Sequence, residues 1–221
     1  MPEKFNILAA SLLFNGLPQE QIEKISAITI SKSYRKGETI FFEGDPGIGF
    51  YMVSQGQVKI FKTSFDGKEQ ILHIFGPGEP FGEVPVFHGN PFPANAMALS
   101  NCETLFFPRT EFVDLITAHP SLALNMLAVL ALRLRRFTTQ VENLSLKEVP
   151  GRLASHLLYL MEEQARTDQV TLDIPKGQLA SLLGTSSETL SRIFSKMSEE
   201  GLIRVKGKTI VILDRDRLKM R

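Results

Sequence analysis

The longest hydrophobic pattern in the chain is a helical repeat between Pro120 and Pro150, a stretch that contains no other proline and no glycine. Apolar residues alternate there at intervals of four and three, at Ala123, Leu127, Leu130, Leu134, Phe137, Val141 and Leu144. Such a period of about 3.5 residues is typical of a coiled-coil seam. The pattern predicts a long helix over 119–146 whose apolar stripe faces either a second copy of the chain or the chain's own preceding domain.

A different pattern precedes this helix. Between residues 30 and 107, short β-prone runs such as Phe50-Tyr-Met-Val53 alternate with glycine-containing turns at roughly 8–12-residue spacing, which indicates a small antiparallel sandwich or barrel. Residues 7–28 are predicted to form a short helical lead-in. Its expected packing residues are Leu12, Leu13, Phe14, Leu17, Ile22 and Ile25.

Residues 176–197 carry the pattern of a helix-turn-helix motif. Small and apolar residues mark the first helix, and Gly184 supplies the positive φ that a tight turn between helices requires. A second helix is expected to follow an N-cap at Thr185 or Ser186. Its inward face is predicted from apolar residues at helical spacing, Leu190, Ile193 and Met197.

The polar face of the second helix carries the candidate DNA-reading side chains. Glu188, Ser191 and Arg192 fall at i, i+3 and i+4 and therefore share a face that could enter a major groove. The alternative is an ordinary helical hairpin whose polar face is merely solvated. The further candidate DNA contacts are Ser187, Thr189, Lys176, Lys206 and Lys208.

Two β-branched runs around a Lys-Gly-Lys turn follow between Gly201 and Leu213, a pattern typical of a β-hairpin. A hairpin with a basic tip directly after a recognition helix is the wing of a winged helix-turn-helix, which makes double-stranded DNA the expected partner. Such a motif usually acts as a two-fold pair, and arginines flank the apolar stripe, so homodimerisation is favoured. The predicted dimer interface consists of Leu127, Leu130, Leu134, Phe137, Val141 and Leu144.

Charge is distributed unevenly along the chain. Residues 1–118 contain 9 Lys and Arg against 13 Asp and Glu, whereas residues 119–221 contain 16 against 11. This asymmetry points to nucleic-acid binding by the C-terminal part.

Other function classes lack their sequence signals. No apolar run approaches the roughly 18 residues of a membrane span, and no secretion signal is recognised, so a cytoplasmic protein without a membrane partner is expected. The single cysteine, Cys102, cannot form an internal disulfide or an iron–sulfur cage. The glycines of residues 76–82 lack the spacing of a phosphate-binding loop, and the scattered histidines form no catalytic constellation. An enzyme is therefore not expected.

The sequence thus predicts an α+β chain with an antiparallel β-roll over 1–118, a dimerisation helix over 119–146 and a winged helix-turn-helix over 147–221. This order resembles the family of the cyclic-AMP receptor protein and FNR. The local matches are Lys36-Gly37, Gly44-Asp45, Gly56, Gly76-x-Gly78, Phe81-Gly82-Glu83, Gly151-Arg152 and Glu188-Thr-Leu-Ser-Arg192. Within the family, Val141–Leu146 and the β-roll look most like the nitrogen-oxide-sensing branch, the DNR-type and HcpR-type regulators.

The resemblance implies a homodimeric transcription regulator with a cyclic-nucleotide-binding-like sensor. An effector bound to the β-roll would reorient the two DNA-reading helices, and RNA polymerase would be a further partner if the protein is an activator. In FNR-type members the Glu-x-x-Ser-Arg spacing recognises TTGA-type half-sites. The expected DNA site is therefore a palindrome resembling TTGAT-N4-ATCAA.

The sequence departs from this family at the effector site. Members that bind cyclic AMP have an arginine and a serine where this chain has Phe92 and Pro93, and a single cysteine cannot supply the cluster of FNR. Neither cyclic AMP nor an iron–sulfur cluster is therefore the expected effector. The candidate pocket residues are mostly apolar: Leu72, Ile74, Phe81, Gly82, Glu83, Val84, Phe92, Met97, Phe137 and Thr138.

Such a pocket leaves haem, another flat hydrophobic ligand, or no ligand as candidates. Haem is suggested by the resemblance to nitric-oxide sensors, with His73 or His88 as candidate axial ligands, although either histidine could equally be an ordinary strand or turn residue. Glu83 is expected to face the pocket as an unpaired anion or to cap its own turn. Two other functions stay open: a regulatory module that does not bind DNA, and a constitutive DNA binder with a vestigial sensor.

Overall fold

The computed structural model describes residues 2–221, with side chains from Lys4 onward, and divides into two compact units that meet between Leu134 and Arg135. The long helix α5 (Pro120–Leu146) begins in the first unit and ends in the second. The other elements of the first unit are α1 (Pro2–Ala10), α2 (Gln19–Ile28), β1 (Ile30–Tyr34), β2 (Thr39–Phe41), β3 (Gly49–Gln55), β4 (Val58–Thr63), β5 (Glu69–Phe75), β6 (Pro80–Phe81), α3 (Val84–His88), β7 (Asn95–Ala98), β8 (Cys102–Pro108) and α4 (Arg109–Ala118).

Two four-stranded antiparallel sheets form the first unit, with strand orders β1-β8-β3-β6 and β2-β7-β4-β5. Strand β3 is apolar along Phe50–Val53 because both of its faces are covered. Phe50 and Met52 pack with the helices on the outer face of their sheet, whereas Tyr51 and Val53 pack toward the opposing sheet. The predicted antiparallel β-roll is therefore confirmed.

Two details of this unit differ from the sequence prediction. The lead-in is two helices rather than one, and Leu12, expected to pack, lies in the turn between them with 64% of its surface exposed. The segment Val84–His88, expected within a β region, forms α3. Pro85 suits the first turn of that helix, and Gly89 ends it in the left-handed conformation at φ 74°.

The second unit contains the end of α5 followed by α6 (Val149–Glu163), β9 (Gln169–Thr171), α7 (Lys176–Leu182), α8 (Ser187–Glu199), β10 (Ile203–Lys206), β11 (Thr209–Ile212) and α9 (Arg215–Lys219). The small sheet has the order β10-β11-β9, and the hairpin pairs Lys206 with Thr209 as a wing requires. The predicted winged helix-turn-helix is confirmed.

The break between α5 and α6 is only two residues long. Helix α5 ends at Leu146, where the predicted dimerisation helix ends, and only Lys147 and Glu148 separate it from α6. Pro150 lies in the first turn of α6, where its missing N–H costs no hydrogen bond.

Among the described residues, no single helix is long and apolar enough to cross a membrane. Helices α4 and α5 pass that test only when they are taken together, and they are bent by 111° at the break between them.

Candidate DNA-reading surface and effector site

Helix α8 is fixed in place by its cap, its preceding turn and its buried face. Ser186 is the N-cap, and its Oγ accepts a hydrogen bond from the backbone N–H of Thr189 at 3.1 Å. Gly184 in the preceding turn has φ +64°, the left-handed conformation that glycine adopts at little cost. The buried face consists of Leu190, Ile193, Phe194 and Met197.

Glu188 and Arg192 stand on the opposite face of α8 and point into solvent. Their side chains are 74% and 77% exposed and form an ion pair one helical turn apart. A pair this exposed contributes little to stability. Both charged groups therefore remain available to a partner, and their shared face confirms the predicted geometry.

Ser191 lies on the same face, but its hydroxyl hydrogen is already used. Its Oγ donates to the backbone carbonyl of Ser187 at 2.9 Å, a bond between residues i and i−4. The oxygen keeps its lone pairs, so Ser191 presents an acceptor to a ligand rather than a free donor. Residue spacing alone does not indicate this.

The remaining predicted DNA contacts surround α8. Ser187 and Thr189 are exposed on its first turn, and Lys206 and Lys208 are exposed at the tip of the wing. Lys176, at the start of α7, lies with its ammonium 4.9 Å from the ring centroid of Phe194, a cation–π contact that restrains it. The structure thus places all eight predicted residues on the second unit, around one recognition helix.

The apolar stripe of α5 is not covered by the chain itself. Its residues are all exposed, at 36–69%: Leu127, Leu130, Leu134, Phe137, Val141 and Leu144. The side of α5 that packs against the first unit carries Leu122, Met126 and Val129 instead. The alternative that the seam packs on its own domain is therefore wrong for these side chains.

The interior of the β-roll is filled by aromatic rings. Phe92 is 5% exposed and stacks on Phe41 with ring centroids 3.7 Å apart and planes at 8°. The cluster between the two sheets contains the rings of Phe41, Tyr51, Phe75, Phe81, Phe92 and Phe106. The position where a phosphate-binding arginine would stand in the family is thus part of an apolar core.

The predicted pocket residues differ widely in exposure. Phe81 is fully buried, whereas Leu72, Ile74 and Met97 are half-buried and Val84 on α3 is 42% exposed. Phe137 and Thr138 belong to the second compact unit. Within the first unit, therefore, the predicted set includes both core residues and exposed residues, and their role as the lining of one effector pocket stays a prediction.

The Glu83 side chain is not an unpaired anion, and although Glu83 occupies the N-cap position of α3, its carboxylate makes no capping bond there, so both interpretations of the side chain were wrong. Its carboxylate forms an ion pair with Arg133 of α5, and the two side chains are only 13% and 17% exposed. Arg133 also donates to the carbonyl of Pro80 and lies 5.0 Å from the ring centroid of Phe75. Glu83 makes no side-chain cap bond to α3. The sequence gives no signal for a pair separated by 50 residues.

The two candidate haem ligands, His73 and His88, lie in different surroundings, and haem binding stays a prediction. His73 stands edge-on to Phe75 with ring centroids 4.5 Å apart, and the exposed His88 has its Nδ1 2.7 Å from the side-chain nitrogen of Asn90. Across residues 2–221, no three His, Cys, Asp or Glu side chains form a metal-binding group. Burial raises the pKa of the Cys102 thiol to about 11, which keeps it protonated at neutral pH.

Comparison with known proteins agrees with both units. The model of the cyclic nucleotide-binding domain matches residues 31–119, and that of the Crp-like helix-turn-helix domain matches residues 151–221. The chain is 32% identical to the CRP-like cAMP-activated global transcriptional regulator of Mycobacterium tuberculosis, over 97% of this chain and 98% of that protein. It is 34% identical to the cyclic AMP receptor protein of Thermus thermophilus, over 93% and 94% of the two chains.

Among solved structures, FixK2 from Bradyrhizobium japonicum is similar with a TM-score of 0.76 and 27% identity, covering 86% of this chain and 96% of that one. The Mycobacterium tuberculosis relative is named as a transcriptional regulator. Placement in the nitrogen-oxide-sensing branch remains a prediction. Sequence identity over nearly the whole length, together with the β-roll and winged helix, shows that this chain belongs to the CRP/FNR family of DNA-binding transcription regulators.

Proposed function

We propose that the chain acts as a homodimer that binds a palindrome resembling TTGAT-N4-ATCAA and regulates transcription from it. The observation that carries this proposal is the outward-facing pair of Glu188 and Arg192 on the firmly capped helix α8. CRP-family regulators bind DNA and typically act as dimers, so the fold is consistent with this mode of action.

The base-reading roles follow from donor and acceptor chemistry. The guanidinium of Arg192 can donate two hydrogen bonds to O6 and N7 of guanine, and Glu188 can accept one from the N4 amine of cytosine. Their ion pair holds the two groups together before DNA arrives. Ser191 offers an acceptor that can pair with the N6 amine of adenine. Lys206 and Lys208 are suited to phosphate contacts, which position the protein without specifying sequence.

The dimer follows from the uncovered seam on α5. A row of exposed Leu, Val and Phe side chains along one helix face is costly in water unless a partner covers it. A second copy of the same helix presents the same row and can pack knobs into holes. Two-fold pairing also gives two recognition helices, which can contact half-sites about one helical turn apart.

The effector is not cyclic AMP in this proposal, although relatives carry cyclic AMP in their names. A cyclic phosphate needs a counter-charge, but Phe92 replaces the family's arginine and Arg133 is already neutralised by Glu83. An effector that enters the β-roll would have to displace the stacked rings of Phe41 and Phe92, which favours a flat, apolar small molecule over an anion.

A second candidate function is favoured by the same filled interior. If the six rings simply complete the core, the chain binds DNA without any effector. RNA polymerase would be a partner of the bound dimer if the protein activates transcription.

Fluorescence anisotropy with a labelled duplex tests these proposals. The purified dimer should bind the palindrome at least about tenfold more tightly than a duplex with scrambled half-sites. Equal affinity for the two duplexes would contradict the proposed DNA site. Tight, specific binding by protein from which small molecules have been removed would favour the constitutive DNA binder. Binding that requires added cell extract would favour the effector-controlled regulator.

A further inference from the structure

A side chain of α6 caps the end of the long helix. The last carbonyls of a helix have no partner within it, and those of α5 come just before the two-residue break. Arg152 Nη1 donates to the carbonyl of Lys147 at 3.2 Å and to that of Leu144 at 3.4 Å. The positive charge of Arg152 is also favourable at the negative C-terminal end of α5. This capping interaction is called the Arg152 clasp below.

Further contacts hold the same joint. Lys147 Nζ donates to Ser155 Oγ of α6 at 2.7 Å. A Cβ at Gly151 would sit 2.4 Å from the backbone oxygen of Arg221, so the chain's C-terminus packs directly against the start of α6. Arg221 in turn forms an ion pair with Glu200, the C-cap residue that follows α8. The Arg152 clasp and the Lys147–Ser155 hydrogen bond thus hold the joint between α5 and α6, and Arg221 ties the start of α6 to the end of α8.

The joint connects the dimer seam to the recognition helix. Leu153 and Leu157 of α6 share one core cluster with Leu190 and Ile193 of α8. All of these residues, and the seam residues on the last turns of α5, belong to the same compact unit. The distance from these seam residues to the DNA-reading face is therefore set inside one unit, and the Arg152 clasp is one of the contacts that join the end of α5 to α6.

We propose that Arg152 is a positioning residue that fixes the spacing between the two half-sites the dimer accepts. The inference rests on the proposed function, because it requires a dimer on a two-fold site. Adding one base pair to the spacer shifts a half-site by about 3.4 Å and rotates it by about 34°. A dimer discriminates against the altered spacer only if its recognition helices cannot change their orientation relative to the dimer seam. Without the clasp, Lys147 and Glu148 are held less firmly between the two helices, and α6 can change its orientation relative to α5.

Selection of binding sites from random DNA by the full-length protein tests this role. The wild-type pool should show one half-site sequence repeated at one spacer length. The Arg152→Gln pool should keep the half-site sequence, because α8 is unchanged, but contain several spacer lengths. On defined duplexes, the preference for the best spacer over spacers one base pair shorter or longer should fall at least about fivefold. That is about the smallest loss of affinity that a mismatched base pair causes.

The control and a second variant separate this role from loss of structure. Arg166→Gln is the matched control, since it makes the same substitution in the same unit at an arginine that donates to Thr171 Oγ1 at 3.3 Å, after the end of α6. It should leave the spacer unchanged. Ser155→Ala removes the tie to Lys147 without a charge change and should relax the spacer more weakly. Thermal unfolding of each variant verifies that it is folded.

The outcomes distinguish the two proposals. A spacer that stays fixed in a folded Arg152→Gln variant overturns the role of Arg152 and leaves the proposed function standing. Other half-sites in the wild-type pool would overturn the predicted palindrome, while the spacer comparison between wild type and variant would still decide the role of Arg152. A wild-type pool with a single unrepeated half-site would overturn the two-fold function and this inference with it.

Discussion

The recognition helix and the β-roll each carry an ion pair, but one pair is exposed and the other is largely buried. On α8, Glu188 and Arg192 pair with each other while about three quarters of each side chain stays exposed, so both remain free to meet DNA. In the β-roll, Glu83 and Arg133 form the same kind of pair, but it is largely buried and backed by the ring of Phe75. The first pair is available to a partner and the second holds two parts of the first unit together.

This contrast shows how two ion pairs in one chain acquire different roles through burial. An exposed pair can exchange its partner for a base edge at little cost, because water solvates both groups throughout. A buried pair cannot be separated without leaving an uncompensated charge in an apolar setting. The predictions below test whether the exposed surfaces are binding surfaces and whether the buried ones are structural, from the largest expected effect to the smallest.

The largest effect is expected at the exposed seam. Phe137→Asp places two carboxylates where two copies of α5 are proposed to meet, and burial of unpaired charge opposes association. Light scattering should then report a monomer, and affinity for the palindrome should fall about 100-fold or more, because two half-sites can no longer be bound together.

Leu132→Asp is the matched control for that experiment. Leu132 is 55% exposed on the same helix, about half a turn away from the seam. It should leave the dimer and its DNA binding intact. A Phe137→Asp variant that stays dimeric at micromolar concentration would show that the interface lies elsewhere.

A smaller effect is expected on the face of α8. Arg192→Ala should cost roughly 1–3 kcal/mol in binding of the palindrome and remove discrimination at the guanine, since its two hydrogen bonds specify that base. Anisotropy titrations against duplexes carrying each base at that position would measure both effects.

Lys208→Ala provides the comparison for Arg192. Because Lys208 is expected to contact a phosphate, its loss should weaken all duplexes alike and reduce the salt slope of binding by about 1. If Arg192→Ala behaved in this uniform way instead, Arg192 would not be a base-reading residue.

The sequence was sufficient for α8 and insufficient for the β-roll interior, and the reason is physical. Helical periodicity places Glu188, Ser191 and Arg192 on one exposed face whatever the rest of the fold does. Whether Phe92 lines a cavity or fills it depends instead on rings such as Phe41, about 50 residues away in the chain. Local patterns do not encode that packing.

The pair of Glu83 and Arg133 was missed for the same reason. Arg133 stands beside the apolar seam of α5, where its charge suggested only a flank of the dimer interface. Helix α3 was missed because Val84–His88 is a short apolar run, and such runs are compatible with either a strand or a helix. Most elements were thus predicted correctly, whereas the contact between Glu83 and Arg133, which lie on distant elements, was not.

A third prediction concerns the buried pair. Glu83→Gln leaves the guanidinium of Arg133 without its counter-charge, and should lower the free energy of unfolding of the β-roll by roughly 1–3 kcal/mol, less than for a fully buried pair. Tyrosine fluorescence during urea denaturation can measure this, because the chain has no tryptophan and Tyr34 and Tyr51 lie in the β-roll.

Glu43→Gln makes the same substitution in an exposed pair, where Glu43 and its partner Lys62 are both 45% exposed. It should change the free energy of unfolding by less than about 1 kcal/mol. Equal losses in the two variants would contradict the distinction between a buried structural pair and a solvated one.

The smallest expected effect is that of cyclic AMP, which should be none. Entry of the nucleotide would require Phe92 to leave its 3.7 Å stack with Phe41 and would expose apolar surface that the core now buries. The nearby guanidinium of Arg133 is paired with Glu83 and would not serve as the counter-charge of the phosphate, and desolvation of an unpaired anion is strongly unfavourable. Isothermal calorimetry with millimolar cyclic AMP should give only heats of dilution, and DNA affinity measured on the same protein preparation should not change. A saturable binding heat would mean that the aromatic stack opens readily, and the β-roll would then be a sensor like those of its cyclic-AMP-activated relatives.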